Sequence, residues 1–288
     1  MSAIVYLGGT FLPVEEARVP VLDRGFIFGD GVYEVIPAYS RQPFCLDAHL
    51  ARLAASLAAI RVANPHSDTQ WARLIGEVIA RNEPEDQAVY LQVTRGVAPR
   101  DHSFPAGVSP TVFLMANPLK PVPAEQVENG VSAVSLPDNR WLRCDIKSVS
   151  LLGNVLLRQA ATDAGAAECV LFRDGFLTEG SASNIFAVKA GALLVPPKSN
   201  LILPGITCDV IVELARTNAI PVAVRPVTEA ETRAADELWL SSSTREVLAI
   251  TALDGKPVAA GLPGPVFRKM HALFQARKRA LAAAPAHA

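Results

Sequence analysis

Residues 143–156 read RCDIKSVSLLGNVL, and a single lysine, Lys147, stands near the start of this stretch. Lys147 closes a run of alternating residues, and the ten positions that follow it contain no acidic residue. Most lysines are solvated, so a surface lysine at a strand-to-helix junction is the plain interpretation. A lysine that takes part in chemistry is the alternative, and the other motifs of the chain decide between the two.

The composition is that of a globular chain, because half of the 288 residues are hydrophobic and 19% are charged. A formal net charge of −1 gives no general attraction for nucleic acid or for an anionic membrane. No stretch approaches the roughly 18 apolar residues of a membrane span, and no basic leader precedes the first apolar residues. We therefore predict a protein that binds neither membrane nor nucleic acid.

The four cysteines, Cys45, Cys144, Cys169 and Cys208, are 99, 25 and 39 positions apart. This spacing matches neither a zinc ribbon nor a C-x-x-C redox pair, so we predict no metal site. Free thiols are typical of a reducing compartment, which makes the cytoplasm the expected location.

Strand and helix patterns mix along the whole chain, which predicts a mixed α/β (α+β) fold. The stretches AIVYLGG, GVYEVIPAY, AVYLQVTRG and TVFLMANP are predicted strands. A helix is predicted over 47–62 with Asp47 as its N-cap, and another over 70–81. In the second part of the chain, CVLFRDGFLTEG, IFAVKAGALLVPP and ITALDGKPVA are predicted hairpins, and CDVIVELARTN and PVFRKMHALFQARKRAL are predicted helices.

The proline-rich stretch NPLKPVPAEQ is the best candidate for a linker. We predict a small N-terminal domain over 1–118, a linker over 119–125 and a larger C-terminal domain over 126–288. The Ala/Pro tail after Leu281 is expected to fray.

Four further stretches carry groups that a phosphorylated ligand would use. Glu179 lies among small residues in TEGSASNIF, and Thr207 follows a Pro-Gly turn in LPGITCDVIVELA as a predicted N-cap whose helix dipole favours an anion. Hydroxyls follow a predicted strand in LSSSTRE, and His49 and Arg52 share one helix face in DAHLARL. Each signal alone is better explained by an ordinary turn, cap or surface residue.

Together, a lysine, an acid and phosphate-binding groups form the set that pyridoxal 5'-phosphate requires. The lysine binds the cofactor as a Schiff base, the carboxylate keeps the pyridine nitrogen protonated, and the donors hold the phosphate. The freed lysine also acts as a general base on the α-carbon of the substrate.

The order of the motifs also resembles that of the class IV aminotransferases, the fold type IV pyridoxal phosphate enzymes, over about residues 5–280. Within the family, the resemblance is greatest to the D-amino acid enzymes. It implies a smaller N-terminal α/β domain and a larger C-terminal pseudo-barrel domain that binds the cofactor. The motifs, in chain order, are RGFIFGDGVYEVI, HLARL, TRGVAPRDH, RCDIKSVSLLGNVL, TEGSASNIF, LPGIT and ELWLSSST.

The resemblance implies that Lys147 binds the cofactor covalently and that Glu179 is the partner of the pyridine nitrogen. Arg140 resembles a buried arginine that tunes the surroundings of the cofactor. Ser243 stands where the D-amino acid enzymes commonly have threonine, and Cys208 replaces a common arginine. The implied phosphate ligands are Arg52, Ile206, Thr207, Ser242 and Ser243.

Substrate choice is implied by the loop that contains PRDH. Arg100 and His102, with Tyr33, match the group that binds the α-carboxylate in the D-amino acid enzymes. In that family the loop lies over the active site of the neighbouring subunit, so a homodimer is expected. Fold type IV enzymes present the opposite cofactor face from aspartate aminotransferases, and a carboxylate at Arg100 and His102 then implies a D-amino acid.

The expected function is a ping-pong transamination from a D-amino acid such as D-alanine to a 2-oxo acid such as 2-oxoglutarate. Three alternatives on the same scaffold stay open at this point: a branched-chain L-amino acid transaminase, an (R)-selective amine transaminase and an aminodeoxychorismate lyase. A non-catalytic binding relative is the alternative from a different class.

Overall fold

The computed structural model describes residues 3–282, which form two compact units. The first contains the described residues through Lys120, the segment Ile146–Leu151 and the last two described residues, Leu281 and Ala282. The second contains Pro121–Asp145 and Leu152–Ala280. The segment that carries Lys147 thus groups with the first unit, although the sequence-based division assigns it to 126–288. That division, with its linker over 119–125, stays a prediction. The Ala/Pro tail from residue 283 onward lies outside the described residues.

The first unit is built on one antiparallel sheet. Its strands are β1 (Ile4–Leu7), β2 (Thr10–Pro13), β3 (Gly31–Tyr39), β4 (Gln42–Pro43), β5 (Gln87–Thr94) and β6 (Thr111–Pro118), and its helices are α1 (Arg24–Phe28), α2 (Leu46–Ala59) and α3 (Asp68–Ala80), with a 3-10 turn at Val14–Glu16. The strand order is β2-β1-β6-β5-β3-β4. Helix α2 packs on β3, and α3 packs on β1, β5 and β6. The apolar core of the unit lies between these helices and the sheet.

The predicted N-cap of α2 is wrong. The helix begins at Leu46, one residue before Asp47, and its N-cap is Cys45, which has a left-handed φ of 54° and forms no capping hydrogen bond through its side chain. The left-handed turn at Cys45 lies between β4 and α2, and the helix begins directly after it. Helix α3, by contrast, begins with a complete capping box between Ser67 and Gln70.

The second unit contains a nine-stranded mixed sheet that curls as half of a barrel. Its strands are β7 (Val131–Pro137), β8 (Glu168–Arg173), β9 (Phe176–Leu177), β10 (Asn184–Lys189), β11 (Ala192–Val195), β12 (Val222–Val224), β13 (Glu237–Ser242), β14 (Glu246–Leu253) and β15 (Lys256–Pro257), and its helices are α4 (Ala124–Asn129), α5 (Leu152–Asp163), α6 (Ile206–Thr217), α7 (Glu229–Arg233) and α8 (Pro265–Ala282). The order is β12-β11-β10-β13-β14-β7-β8-β9, and β15 pairs with β14.

The expected mixture of strands and helices is confirmed, and the three predicted hairpins are the pairs β8–β9, β10–β11 and β14–β15. Parallel pairing joins β7 to both β8 and β14, and β11 to β12. Among residues 3–282, no helix has both the length and the apolar character needed to cross a membrane.

Candidate active site

Lys147 is fixed through its backbone to two elements of the first unit. Its carbonyl accepts a hydrogen bond of 2.9 Å from the backbone N–H of Tyr33 in β3. Its own N–H donates to Oγ of Ser56 in α2, at 3.3 Å. Two residues later, the N–H of Val149 donates to the carbonyl of Gly31. The lysine therefore lies on an added extended segment beside β3, not at the start of helix α5, which begins only at Leu152.

The side chain of Lys147 is half-buried, and its Nζ lies 4.2 Å from the centroid of the Tyr33 ring. No carboxylate of the described part of its own unit forms an ion pair with it. The Nζ of Lys147 therefore makes a cation–π contact and no ion pair within the described residues of this unit. A solvated surface lysine does not describe this environment.

Next to Tyr33, the buried side chain of Glu34 forms the centre of a charged network. Its carboxylate accepts two hydrogen bonds from Arg52, at 2.8 and 2.7 Å, and contacts Nδ1 of His49 at 2.8 Å. Burial alone would raise the pKa of Glu34, but the hydrogen bonds from Arg52 and His49 outweigh it and lower the pKa to about 2. Glu34 is therefore an ionised acceptor that holds the Arg52 guanidinium in one orientation.

The predicted phosphate ligand Arg52 is only 9% exposed. Its role toward phosphate stays a prediction, and the structure adds the carboxylate that positions it. Burial lowers the pKa of His49 although its contact with Glu34 acts against the shift, and the nearby charges of Arg52 and Lys147 lower it further. The shared face of His49 and Arg52 that the sequence predicts is present, and it points at Glu34.

Arg100 and His102 lie together in the exposed loop between β5 and β6. The guanidinium of Arg100 and the imidazole of His102 each lie 5.3 Å from the centroid of the Phe28 ring. Tyr33, the third residue of the predicted carboxylate site, does not share these contacts, because its ring stacks on Tyr90 at 5.6 Å. The structure thus brings together two of the three predicted residues.

In the second unit, Glu179 is almost completely buried between β9 and β10. Its carboxylate accepts hydrogen bonds from Nη1 of Arg140 at 2.5 Å, from the backbone N–H of Leu203 at 3.0 Å and from Nδ2 of Asn184 at 3.4 Å. Burial raises the pKa of Glu179 to about 7, although the charge of Arg140 acts against the shift. A second positive charge at this carboxylate would restore its ionised form.

Arg140 is itself shared between two acids. Its Nε and Nη2 donate to Asp138 at 2.9 and 2.8 Å, so only Nη1 serves Glu179. Asp138 also accepts from Oγ1 of Thr178 at 2.9 Å and pairs with Arg173 at 3.0 Å. The expected buried arginine beside Glu179 is thus present, and its acidic partner Asp138 was not predicted.

The N-cap predicted for α6, at the expected anion site, is wrong. The N-cap is Gly205, not Thr207, and no side chain caps the helix. Ile206 and Thr207 are buried and occupy the first turn of α6. Because they lie in the first turn, their N–H groups have no hydrogen-bond acceptor within the helix. A Cβ on Gly205 would collide with Oδ1 of Asn184, which explains the glycine at this close approach.

Strand β13 ends at Ser242, and the pairing of Ser241 with Asn184 sets this end beside the start of β10. Asn184 in turn donates to both Glu179 and the carbonyl of Leu203. Oγ of Ser242 accepts from the N–H of Arg245 at 3.2 Å, which is the simple hydroxyl turn that the sequence also allowed. Ser243 is half-buried.

Sequence reasoning missed Glu168, which binds the turn between Glu179 and Asn184. The fully buried carboxylate of Glu168 accepts from the hydroxyls of Ser181 and Ser183 and from the N–H of Ser181. It thereby fixes the turn between Glu179 and Asn184. The small residues of TEGSASNIF were the signal for a close approach, but no local pattern identifies an acceptor that lies upstream in β8.

A family model described as amino-transferase class IV matches residues 31–253. The chain is 40% identical over 271 residues to the D-alanine aminotransferase of Bacillus licheniformis, covering 94% of this chain and 95% of that protein. It is 42% identical over 263 residues to the D-alanine aminotransferase of Listeria monocytogenes serotype 1/2a, covering 90% and 91%.

The solved structure of the branched-chain amino acid aminotransferase of Escherichia coli has the same fold. The TM-score is 0.89 at 26% identity, covering 96% of this chain and 94% of that one. The fold class expected from the order of the motifs is confirmed. With a family model over most of its length and relatives at about 40% identity, the chain belongs to the class IV aminotransferases.

Proposed function

We propose that this protein is a pyridoxal 5'-phosphate-dependent transaminase that moves the amino group of a D-amino acid, such as D-alanine, to a 2-oxo acid, such as 2-oxoglutarate, in two ping-pong half-reactions. The observation that carries the cofactor assignment is the geometry of Glu179, whose carboxylate is almost completely buried and accepts only one hydrogen bond from a charged donor, Nη1 of Arg140. Burial accordingly raises its pKa to about 7. The two D-alanine aminotransferases that match over nine tenths or more of the chain support the substrate class.

Each unit contains side chains that fit this cofactor. When bound, pyridoxal phosphate supplies an aldehyde that joins amines covalently and a ring that accepts electrons from the α-carbon. Glu179 would accept a hydrogen bond from the protonated ring nitrogen, whose positive charge would keep the carboxylate ionised. The first turn of α6, at Ile206 and Thr207, would bind the phosphate through its N–H groups and dipole. Arg52, Ser242 and Ser243 would add a guanidinium and hydroxyls to the phosphate.

Lys147 would transfer the protons. Its Nζ would take the proton from the α-carbon of the amino donor in the first half-reaction and would give a proton to the α-carbon derived from the 2-oxo acid in the second. The Tyr33 ring beneath Nζ limits the directions in which the amine can move. The backbone hydrogen bonds of Lys147 to Tyr33 and Ser56 fix the position from which its side chain would reach the substrate.

Arg100 and His102, together with Tyr33, would bind the α-carboxylate of the substrate. A guanidinium next to an imidazole supplies charge-assisted hydrogen bonds to a carboxylate. If the carboxylate binds there, the resemblance to the D-amino acid enzymes implies that a D-amino acid would present the hydrogen of its α-carbon to Lys147.

We infer that the protein forms a homodimer, in which the loop with Arg100 would reach the active site of the partner subunit. Each unit exposes apolar side chains that a partner would cover, which is unusual for a monomer. In the first unit these are Val21, Leu22 and Phe26, and in the second they are Trp141, Leu142, Leu152, Val155 and Leu156. A cytoplasmic location is consistent with four cysteines that form no disulfide.

Mixed dimers test whether the loop acts across the dimer. Arg100→Leu and Lys147→Ala chains each give a poorly active homodimer, but a mixed dimer contains one site with both Lys147 and an intact loop. An equal mixture should therefore recover roughly a quarter of the wild-type activity, because half of the dimers are mixed and each has one competent site. Activity no higher than the mean of the two homodimers would contradict the arrangement.

The function itself is tested with purified protein, added pyridoxal phosphate and 2-oxoglutarate. The amino donors are both enantiomers of alanine, leucine and 1-phenylethylamine. We expect D-alanine to have the highest kcat/KM, and Lys147→Ala to abolish turnover with every donor. If L-leucine outpaces D-alanine, the carboxylate assignment fails and the branched-chain alternative takes its place. If (R)-phenylethylamine outpaces both, the chain is an amine transaminase.

A further inference from the structure

Phe28 lies at the point where helix α1 meets the loop that carries Arg100 and His102. Its ring contacts three cationic or aromatic groups of the first unit. The centroid is 4.8 Å from Cζ of Arg24, 5.3 Å from Cζ of Arg100 and 5.3 Å from the His102 ring, which is tilted by 47°. These distances are within the range of cation–π and aromatic contacts.

The ring is held in place by a short, well-defined helix. Asp23 caps α1 by accepting from the N–H of Gly25 at 2.8 Å, and Gly29 ends it in the left-handed conformation with a φ of 65°. Arg24 is buried, its Nε donates to Asp30 at 2.8 Å, and its Nη1 donates to the carbonyl of Asp101 at 2.5 Å. Arg24 therefore fixes the loop backbone between Arg100 and His102, directly beside Phe28.

Arg100 and His102 have few other restraints. Both side chains are exposed, and within residues 3–282 neither forms a hydrogen bond or an ion pair through its side chain. Among the described residues, the Phe28 ring makes a cation–π contact with Arg100 and an aromatic contact with His102, so the two side chains share it. Without it, a long arginine side chain would sample many rotamers and would have to be ordered again by each substrate.

We propose that Phe28 is a positioning residue that pre-orders Arg100 and His102 and so sets the affinity of the enzyme for substrates with an α-carboxylate. The inference rests on the proposed function, because it assigns to Phe28 a role in substrate selection at the same site. Phe28 belongs to the same chain as the loop, so it acts on whichever site that loop serves. It does not touch the substrate and acts only through these two side chains.

The test compares two kinds of amino donor in the Phe28→Leu enzyme. We expect KM for D-alanine to rise about tenfold, since the contacts that pre-order both side chains are lost. The kcat for D-alanine and the kcat/KM for (R)-phenylethylamine, which has no carboxylate, should change less than about twofold on the same reasoning. Phe28→Tyr keeps an aromatic face and should restore KM.

Phe11→Leu is the matched control. Phe11 also lies under an arginine of the first unit, 4.4 Å from Cζ of Arg81, but neither residue has a place in the proposed site. Its removal should leave both donors unaffected. If Phe28→Leu is too unstable to purify, pentafluorophenylalanine at position 28 keeps the shape of the ring while reversing its electrostatic face, and should raise KM in the same way.

The outcomes separate the two proposals. If wild-type enzyme does not use D-alanine, or if Arg100→Leu leaves KM for D-alanine unchanged, the proposed function is wrong. If both of those behave as expected but Phe28→Leu and the fluorinated ring leave KM unchanged, the role of Phe28 is wrong. An equal loss with D-alanine and (R)-phenylethylamine would also overturn it, because a general structural defect would then explain the result.

Discussion

Two buried carboxylates, Glu34 in the first unit and Glu179 in the second, are each bound by an arginine, yet their pKa values move in opposite directions. Glu34 receives both prongs of Arg52 and a hydrogen bond with His49, and its pKa falls to about 2. Glu179 receives a single prong of Arg140, and its pKa rises to about 7. Each carboxylate makes three hydrogen bonds, but two of those at Glu34 come from a guanidinium and only one of those at Glu179 does. At Glu179 the charge of Asp138 also adds to the effect of burial, so the balance of charge decides the sign of the shift.

We interpret Glu34 as a structural carboxylate and Glu179 as one whose charge a ligand would balance. The chain itself neutralises Glu34, so its function is to hold Arg52 and His49. The second and third donors of Arg140 go to Asp138, which leaves Glu179 short of positive charge. A protonated pyridine nitrogen would supply that charge, and the following predictions test this interpretation.

Replacing Glu179 should have the largest effect on catalysis. Glu179→Gln keeps the shape of the side chain but removes the charge that stabilises a protonated ring nitrogen, so kcat for D-alanine should fall at least about 100-fold. Steady-state kinetics with saturating cofactor measure this fall. Glu213→Gln, at an exposed carboxylate on α6, is the control and should leave kcat unchanged. A nearly wild-type kcat in Glu179→Gln would show that the charge of Glu179 is not needed for the reaction, and the interpretation of its raised pKa would fail.

Replacing Glu34 should affect stability first. Glu34→Gln leaves Arg52 buried and only partly paired, which should lower the free energy of unfolding by about 3 kcal/mol. Urea unfolding of the cofactor-free protein measures the change. Glu77→Gln removes the acid from an exposed pair with Arg81 and should cost less than about 0.5 kcal/mol. Equal losses in the two variants would show that Glu34 does not depend on its buried partners.

The pH dependence of stability should have opposite signs for the two carboxyls. The raised pKa of Glu179 means that the cofactor-free native state holds its proton up to about pH 7, whereas the unfolded chain releases it near the ordinary value of 4.5. Its contribution to stability is therefore complete below the unfolded pKa and is lost as the pH rises through about 7, by about 1–3 kcal/mol. The contribution of Glu34 is complete above its ordinary value of 4.5 and is lost as the pH falls toward about 2.

Unfolding of the cofactor-free wild type and of Glu179→Gln, followed from about pH 5 to about pH 8, isolates the first of these effects. The wild type should lose stability relative to the variant as the pH rises, and bound cofactor should abolish the difference in slope. Parallel curves for the two proteins would mean that the carboxyl of Glu179 is already ionised at the acidic end of this range in the cofactor-free state.

The smallest expected effect concerns Ser243. Ser243→Thr restores the methyl group that the D-amino acid enzymes commonly have, and a β-branched side chain has fewer rotamers. We expect the affinity for pyridoxal phosphate to increase by a few-fold, a change below about 1 kcal/mol. Fluorescence titration of the cofactor-free protein measures it, with Thr244→Ser at the exposed neighbour as the control. If Ser243→Thr binds pyridoxal phosphate about tenfold more weakly than the wild type, the assignment of Ser243 to the phosphate site is wrong.

The sequence predicted the elements well where the signal is local. Alternation and glycine turns located the three hairpins of the second unit, and the apolar spacing of residues 47–62 located α2. The N-caps were wrong at Asp47 and Thr207 because Cys45 and Gly205 begin their helices through backbone geometry, without a capping side chain. A rule based on side chains cannot detect such a start.

The candidate site was predictable only in part, since its supporting residues are distant in sequence. The carboxylate of Glu34 meets His49 and Arg52 across 15 and 18 positions, and Arg140 meets Glu179 across 39. In the sequence, Glu34 reads as one more polar position of an alternating strand. Lys147 was found because it closes an alternating stretch and no acidic residue follows it in the next ten positions, but its bonds to Tyr33 and Ser56 follow only from the fold.

We propose that Nζ of Lys147 bonds covalently to the cofactor. The most direct measurement is reduction of the freshly purified, cofactor-loaded protein with borohydride, followed by proteolysis and mass spectrometry. We predict a single phosphopyridoxyl label on the peptide that contains Lys147, and no label in Lys147→Ala. A label on another lysine, or no label on a protein that carries cofactor, would contradict the account.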